Sequence, residues 1–250
     1  MTTTVAIVGA AGRMGQLICR LVNAADDFEL GAQIGSKGEL ADMVGADIVV
    51  DVTVPSVSQT VVEFALEHGI NIVVGTSGWS SDRIAQLERQ AAASPEVGVL
   101  IIPNFSLGSV LATSLSATAA RFFESIEIVE MHHASKVDSP SGTAIRTAEL
   151  MGAARVTMGP VAAPHVDQRA RGQQVSSIPV HSLRLHGVEA KQDVIFGGVG
   201  ETLTISHETV SPRSYEAGIL IALRAASGAR GVIVGLDKLI DLGSARSPVE

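Results

Sequence analysis

The chain has 250 residues, 46% of them hydrophobic and 18% charged, with a net charge of −8. That profile belongs to a well-packed globular enzyme of one large domain or two smaller ones, and it excludes disordered and fibrous classes. The acidic balance argues against a polyanion partner, and 3% aromatics leave few stacking platforms for single-stranded nucleic acid.

The N-terminus enters the strand-like run Val5–Val8 at once, with no basic region preceding an apolar core, and no apolar run approaches the roughly 18 residues of a membrane span. A cytoplasmic protein without a membrane partner is expected. The run leads into Gly9-Ala10-Ala11-Gly12-Arg13-Met14-Gly15 and a helix over about Arg13 to Ala24. Strand, glycine loop and helix in this order suit a dinucleotide diphosphate, which backbone amides and a helix N-terminus can cradle. The spacing is Gly-x-x-Gly-x-x-Gly, so the motif is less specific than the usual fingerprint, and an ordinary tight turn is the alternative. Arg13 adds a positive charge beside the phosphates or lies solvated in the first turn. Cys19, the single cysteine, excludes an internal disulfide and reads as a small core residue of this helix.

The second strand, Phe28–Ile34, ends without the acidic residue that usually binds NAD ribose; Glu39 and Asp42 fall further on, in a short helix. Ser36 and Lys37 can instead contact a 2′-phosphate, which leans the chain towards NADPH or dual use, although a solvent-exposed lysine is the commoner case. Strands at Ile48–Val52, Ile72–Val74 and Val99–Ile102 alternate with helices over about Ser56 to His68 and Ser81 to Ala93. Such alternation predicts an α/β, Rossmann-like doubly wound parallel sheet.

A helix over about Gly108 to Ala120 and the strand Ile126–Met131 follow, then a loop from Gly152 to Ser177. Three longer strands, Ile178–Leu185, Ala190–Phe196 and Thr202–Glu208, alternate apolar and polar residues and imply a mixed or antiparallel sheet in a second α+β domain. A last helix, about Tyr215 to Ala226, and the apolar tail Val232–Leu242 return to the first domain. The expected division is residues 1–105 and 213–250 for dinucleotide binding and 106–212 for substrate binding and oligomerisation.

The segment Glu130–Ala144 concentrates the chemistry. In an ideal strand His132 and His133 point to opposite faces, so a shared site requires the strand to end or bend there. A metal site is not expected, because lysine is a poor ligand and no further cluster completes a shell. Ser141, Gly142 and Thr143 read as a helix start whose amides can hold a carboxylate, with charge from Lys136 and His133. His132 can act as an acid near neutral pH, and Lys136 can also donate a proton. The alternative has one histidine capping a buried carbonyl and Lys136 paired with Asp138 on the surface. The implied ligand is a small, doubly negative acid.

With these residues in view, the chain resembles the dihydrodipicolinate reductase family, now called 4-hydroxy-tetrahydrodipicolinate reductases, over essentially its whole length. The pattern Glu-x-His-His-x-x-Lys-x-Asp-x-Pro-Ser-Gly-Thr-Ala at Glu130–Ala144 is the most specific element. The glycine loop, Gly75-Thr76-Ser77-Gly78, Pro103-Asn104-Phe105 and Ser177-Ile178-Pro179-Val180-His181 support it. The resemblance implies reduction of a cyclic unsaturated imine dicarboxylate by NADH or NADPH in diaminopimelate and lysine biosynthesis, by a homotetramer assembled through the second domain's sheet. It implies His132 as proton donor or acceptor, Lys136 as proton donor, and His133, Gly142 and Thr143 as carboxylate ligands. Gly9 to Met14, Gly75 to Ser77, and Ile102 to Phe105 would line the cofactor, and Ser77, Lys136 and Ser141 are further substrate-site candidates. Two departures stand out: Ser77 replaces the family's usual second threonine while keeping a hydroxyl, and Ile102 replaces its common alanine and crowds the nicotinamide side. Another NAD(P)-dependent oxidoreductase of a small acid, and a non-catalytic dinucleotide-binding protein, are the competing functions.

Overall fold

The computed structural model describes residues 2–240. The chain divides into two compact units, one formed by the residues through Ser106 together with those from Tyr215 onward, the other by Leu107–Ser214.

In the first unit, β1 (Thr3–Val8), β2 (Phe28–Ile34), β3 (Ile48–Asp51), β4 (Asn71–Val74), β5 (Gly98–Ile101) and β11 (Gly231–Val234) form a sheet of order β11-β5-β4-β3-β1-β2. Every pairing is parallel. Strands β3 and β5 are buried at every position, because helices α1 (Arg13–Ala24), α2 (Pro55–Glu67), α3 (Ser81–Ala91) and α6 (Glu216–Ala226) supply cover on the faces. Local signals set the helix starts: Pro55 occupies the first turn of α2, and the Ser80 hydroxyl accepts a hydrogen bond from the Arg83 amide at the start of α3. Strand order reverses at β1, which pairs with both β2 and β3, and ligands of open α/β sheets bind at such a switch point.

In the second unit, β6 (Ser125–His133), β7 (Gln173–Val175), β8 (Ile178–Leu185), β9 (Ala190–Gly198) and β10 (Glu201–Thr209) form a mixed sheet of order β10-β9-β6-β8-β7. Only β6 and β8 run parallel. Alternate residues Ile126 and Ile128 of β6 join Val180, Val194 and Phe196 in a core closed by Ala144, Ala148 and Met151 of α5 (Gly142–Ala154). Helix α4 (Leu107–Ala119) packs beside α5.

Four expectations need correction. Strand β6 continues through both histidines. The expected loop from Gly152 is helical to Ala154 and later contains β7. Cys19 is half-buried rather than a core residue, its thiol near Gln33 Oε1 and its pKa raised by partial burial. The apolar tail contains a sheet strand, β11, and its residues 241 and 242, like all positions to 250, lie outside the described residues.

Candidate functional site

The cofactor candidates collect at one edge of the first unit's sheet. Gly9–Met14 follow β1, Lys37 follows β2, Gly75–Ser77 follow β4, and Ile102–Phe105 follow β5, all at the carboxyl ends of parallel strands. Gly9 turns with φ +93°, and its amide and that of Ala10 donate to the Ile34 carbonyl at 2.8 and 3.2 Å. Gly12 is the N-cap of α1 and offers no side-chain cap, so the helix begins with first-turn amides unshielded beside Arg13. A Cβ on Gly15 would lie 2.2 Å from the Gly9 carbonyl oxygen, which is how closely the loop wraps the helix start. These groups fit a dinucleotide diphosphate. Ser36 and Lys37 are exposed at the tip of a turn closed by the Gly38 amide on the Gly35 carbonyl.

The other cofactor candidates are less uniform. Gly75 N–H donates to the Asp51 carbonyl at 2.8 Å and the buried Thr76 hydroxyl reaches the same oxygen at 3.4 Å, while Ser77 is exposed. Ile102 and Phe105 are buried, so Ile102 meets a ligand through its main chain or not at all. Pro103 is exposed, and Asn104 Oδ1 accepts from the Ser106 amide.

In the second unit a single carboxylate organises the chemistry. Glu130 is fully buried, two residues before His132 on β6 and therefore on the same side of the strand. Its Oε2 meets His132 Nδ1 at 2.6 Å, and its Oε1 accepts from the Ser141 amide at 3.2 Å. The Arg184 guanidinium of β8 grips both oxygens at 2.9 Å and also donates to the Asp138 carbonyl at 2.7 Å. Burial pushes the Glu130 carboxyl up, but hydrogen bonds from His132, Arg184 and Ser182 and the Arg184 charge outweigh it and hold the pKa at about 2. The carboxylate thus ties the imidazole to the start of α5.

Ser141 is the N-cap of α5, its buried hydroxyl accepting from the Ala144 amide at 3.2 Å. Gly142 and Thr143 occupy the first helical positions, where amides have no partner within the helix. His133 falls on the opposite side of β6; its Nδ1 meets Ser135 Oγ at 2.8 Å, and its carbonyl accepts from the Lys136 amide in the turn that follows. No bend precedes the histidine pair. Lys136 Nζ contacts both Asp138 oxygens at 2.7 Å, the surface pairing weighed from the sequence, and it holds the Asp138 carboxyl below its ordinary range.

Sequence reasoning missed Glu130 and Arg184 as site residues. Glu130 had two signals, its place at the head of the Glu130–Ala144 pattern and its even spacing from His132; Arg184 had none, because its pairing depends on the β6–β8 register.

Known proteins share both halves of this chain. Residues 3–105 match the family described as dihydrodipicolinate reductase, N-terminus, and residues 108–240 match dihydrodipicolinate reductase, C-terminus. The 4-hydroxy-tetrahydrodipicolinate reductase of Clavibacter sepedonicus is 69% identical over 98% of this chain and 89% of its own. That of Streptomyces griseus is 46% identical over 95% of this chain and 98% of its own. A dipicolinate-bound dihydrodipicolinate reductase from Paenisporosarcina sp. TG-14 superposes with a TM-score of 0.82 at 27% identity, over 96% of this chain and all of that one. A glycine-looped parallel sheet, a Glu130-held histidine beside a helix start, and near full-length likeness on both units converge: the chain belongs to the dihydrodipicolinate reductase family.

Proposed function

We propose that this protein reduces 4-hydroxy-tetrahydrodipicolinate, through its unsaturated imine, to tetrahydrodipicolinate with NADH or NADPH, in diaminopimelate and lysine biosynthesis. The observation that carries the reading is the Glu130 carboxylate holding both His132 and the Ser141 amide, which keeps a protonatable ring beside a helix start suited to a carboxylate. The nicotinamide supplies the hydride when bound. The first unit is the dinucleotide-binding domain, with Gly9–Met14, Lys37, Gly75–Ser77 and Ile102–Phe105 as its contacts. The second binds substrate: Lys136, Ser141, Gly142 and Thr143 hold its carboxylates, and His133, on the opposite side of β6 from His132, must turn at the strand end to join them.

His132 or Lys136 delivers the proton that balances the hydride. With Nδ1 directed at Glu130, His132 keeps Nε2 for proton exchange. Lys136 must exchange Asp138 for substrate. Asp138 is 62% exposed, so their pair is worth no more than about 1 kcal/mol and yields readily to a ligand carboxylate. The Asp138→Asn variant is therefore expected to keep wild-type stability and to lower the substrate KM by up to about fivefold in steady-state assays.

The direct test couples the purified protein to a synthase with aspartate semialdehyde and pyruvate and follows NAD(P)H oxidation. His132→Gln and Lys136→Ala are each expected to lower kcat by about 10²–10⁴. Wild-type rates in both variants would remove the assigned roles. A dinucleotide-binding protein without turnover would leave the Glu130-held histidine without a task.

The assembly is proposed to be a homotetramer built on the second unit's sheet. The face turned from α4 and α5 carries Val129, Met131, Leu183, Leu185 and Ile195, of which Leu185 and Ile195 are exposed. The proposed compartment is the cytoplasm; among the described residues no helix is long and apolar enough to cross a membrane.

A further inference from the structure

Asp51, the last residue of β3, has no solvent exposure, although it ends at the sheet edge where the cofactor candidates gather. Its carboxylate accepts from the Thr53 amide at 3.0 Å and the Thr53 hydroxyl at 2.6 Å, and from the hydroxyl of the equally buried Ser58 on α2. Its carbonyl accepts from Gly75 N–H and Thr76 Oγ1 of the next turn. One residue therefore grips two turns, by its side chain on one and its main chain on the other.

The link is closed a second time. Ser58 Oγ, having donated to Asp51, accepts from Trp79 Nε1 at 3.2 Å. Arg83 lies over the Trp79 ring at 4.7 Å and donates to the Gly78 carbonyl at 2.7 Å. Gly78 itself turns with φ +90° against Pro55, whose Cβ would be 3.0 Å from any Cβ placed there. The turn after β4 is thus locked to the turn after β3 through the chain Asp51–Ser58–Trp79. A strand that only had to end would need no buried carboxylate, since hydrogen-bonded burial of such a group offsets its desolvation at best.

We propose that Asp51, acting through Ser58 and Trp79, is a positioning residue for the dinucleotide: it holds the Gly75–Ser77 turn in its binding shape before the ligand arrives. This rests on the proposed reading of the first unit as the cofactor domain. Preorganisation of this kind raises affinity by removing an ordering cost from the binding step.

Ser58→Ala tests it, because Asp51 keeps both Thr53 partners and the fold keeps its core. Loss of the Ser58 hydroxyl, with its hydrogen bonds to Asp51 and from Trp79, is expected to raise the NADH and NADPH dissociation constants about 3- to 10-fold, with the change seen in cofactor KM rather than kcat. Trp79→Phe should do the same, and the double variant should be no weaker than either single one, since both cut the same link. Trp79 is the chain's only tryptophan and lines a cleft between α2 and α3, so its emission should shift in Ser58→Ala before any ligand is added. Unchanged dissociation constants in both variants, or losses that simply add, overturn the positioning role alone. A wild-type protein that binds neither nucleotide overturns the cofactor reading and this role with it.

Discussion

Replacing Glu130 with alanine is expected to lower the unfolding free energy by about 3–5 kcal/mol, because it leaves the Arg184 guanidinium and the Ser141 amide without their buried partner. The same change should lower kcat, since the carboxylate is what orients His132. Glu130→Gln keeps acceptor capacity and should cost less stability while still removing the charge that faces the imidazole. The pH dependence separates these variants from the wild type. The folded-state pKa of about 2 lies below the ordinary 4.5, so the carboxylate contribution is complete above about pH 4.5 and is lost as the pH falls towards 2. The shift corresponds to something on the order of 3 kcal/mol. Urea unfolding between pH 2 and 5 should therefore show a steep acid limb in the wild type and a shallower one in Glu130→Gln. Equal slopes would mean that Glu130 is not the carboxylate whose protonation drives acid unfolding.

Gly15→Ala is expected to be among the most damaging single methyls in the first unit. The added Cβ would sit 2.2 Å from the Gly9 carbonyl oxygen and 2.6 Å from Ala10 Cα, and these main-chain atoms cannot swing aside as a flexible side chain would. Either α1 withdraws or the glycine loop opens, at a cost of about 3 kcal/mol or more. Both routes move the first-turn amides away from where a diphosphate would lie. NADH titration should show affinity reduced by at least about tenfold, with the loss larger than that from Ser58→Ala. A variant with normal affinity would separate this loop from the cofactor.

Much of the first unit was legible because its strands are buried and its helices amphipathic. Arg13–Ala24 and Phe28–Ile34 have the expected bounds, since a 3.6-residue apolar period followed by a short apolar run admits few other readings. Short elements were less visible. Gln173–Val175 and Gly231–Val234 are too brief to display a period and become strands only by pairing with β8 and β5. Gly152 suggested a break, yet α5 continues past it because Ala148 and Met151 keep that face in the core. At the site, adjacency in sequence revealed the histidines, Lys136 and the helix start. It could not reveal Arg184, 54 residues from Glu130, nor the link from Ser58 to Trp79, which exists only where two turns meet.

The placement of β11 bears on how the chain is made. Its neighbour β5 is synthesised before the second unit, whereas β11 and α6 follow it, so a nascent chain carries a first sheet with a bare edge throughout synthesis of Leu107–Ser214. Val99, Leu100 and Ile101 then wait beside the ribosome with unpaired amides and carbonyls on one side, a template for strands of other chains. The first unit is begun first and finished last, and the window of greatest aggregation risk falls between those two moments.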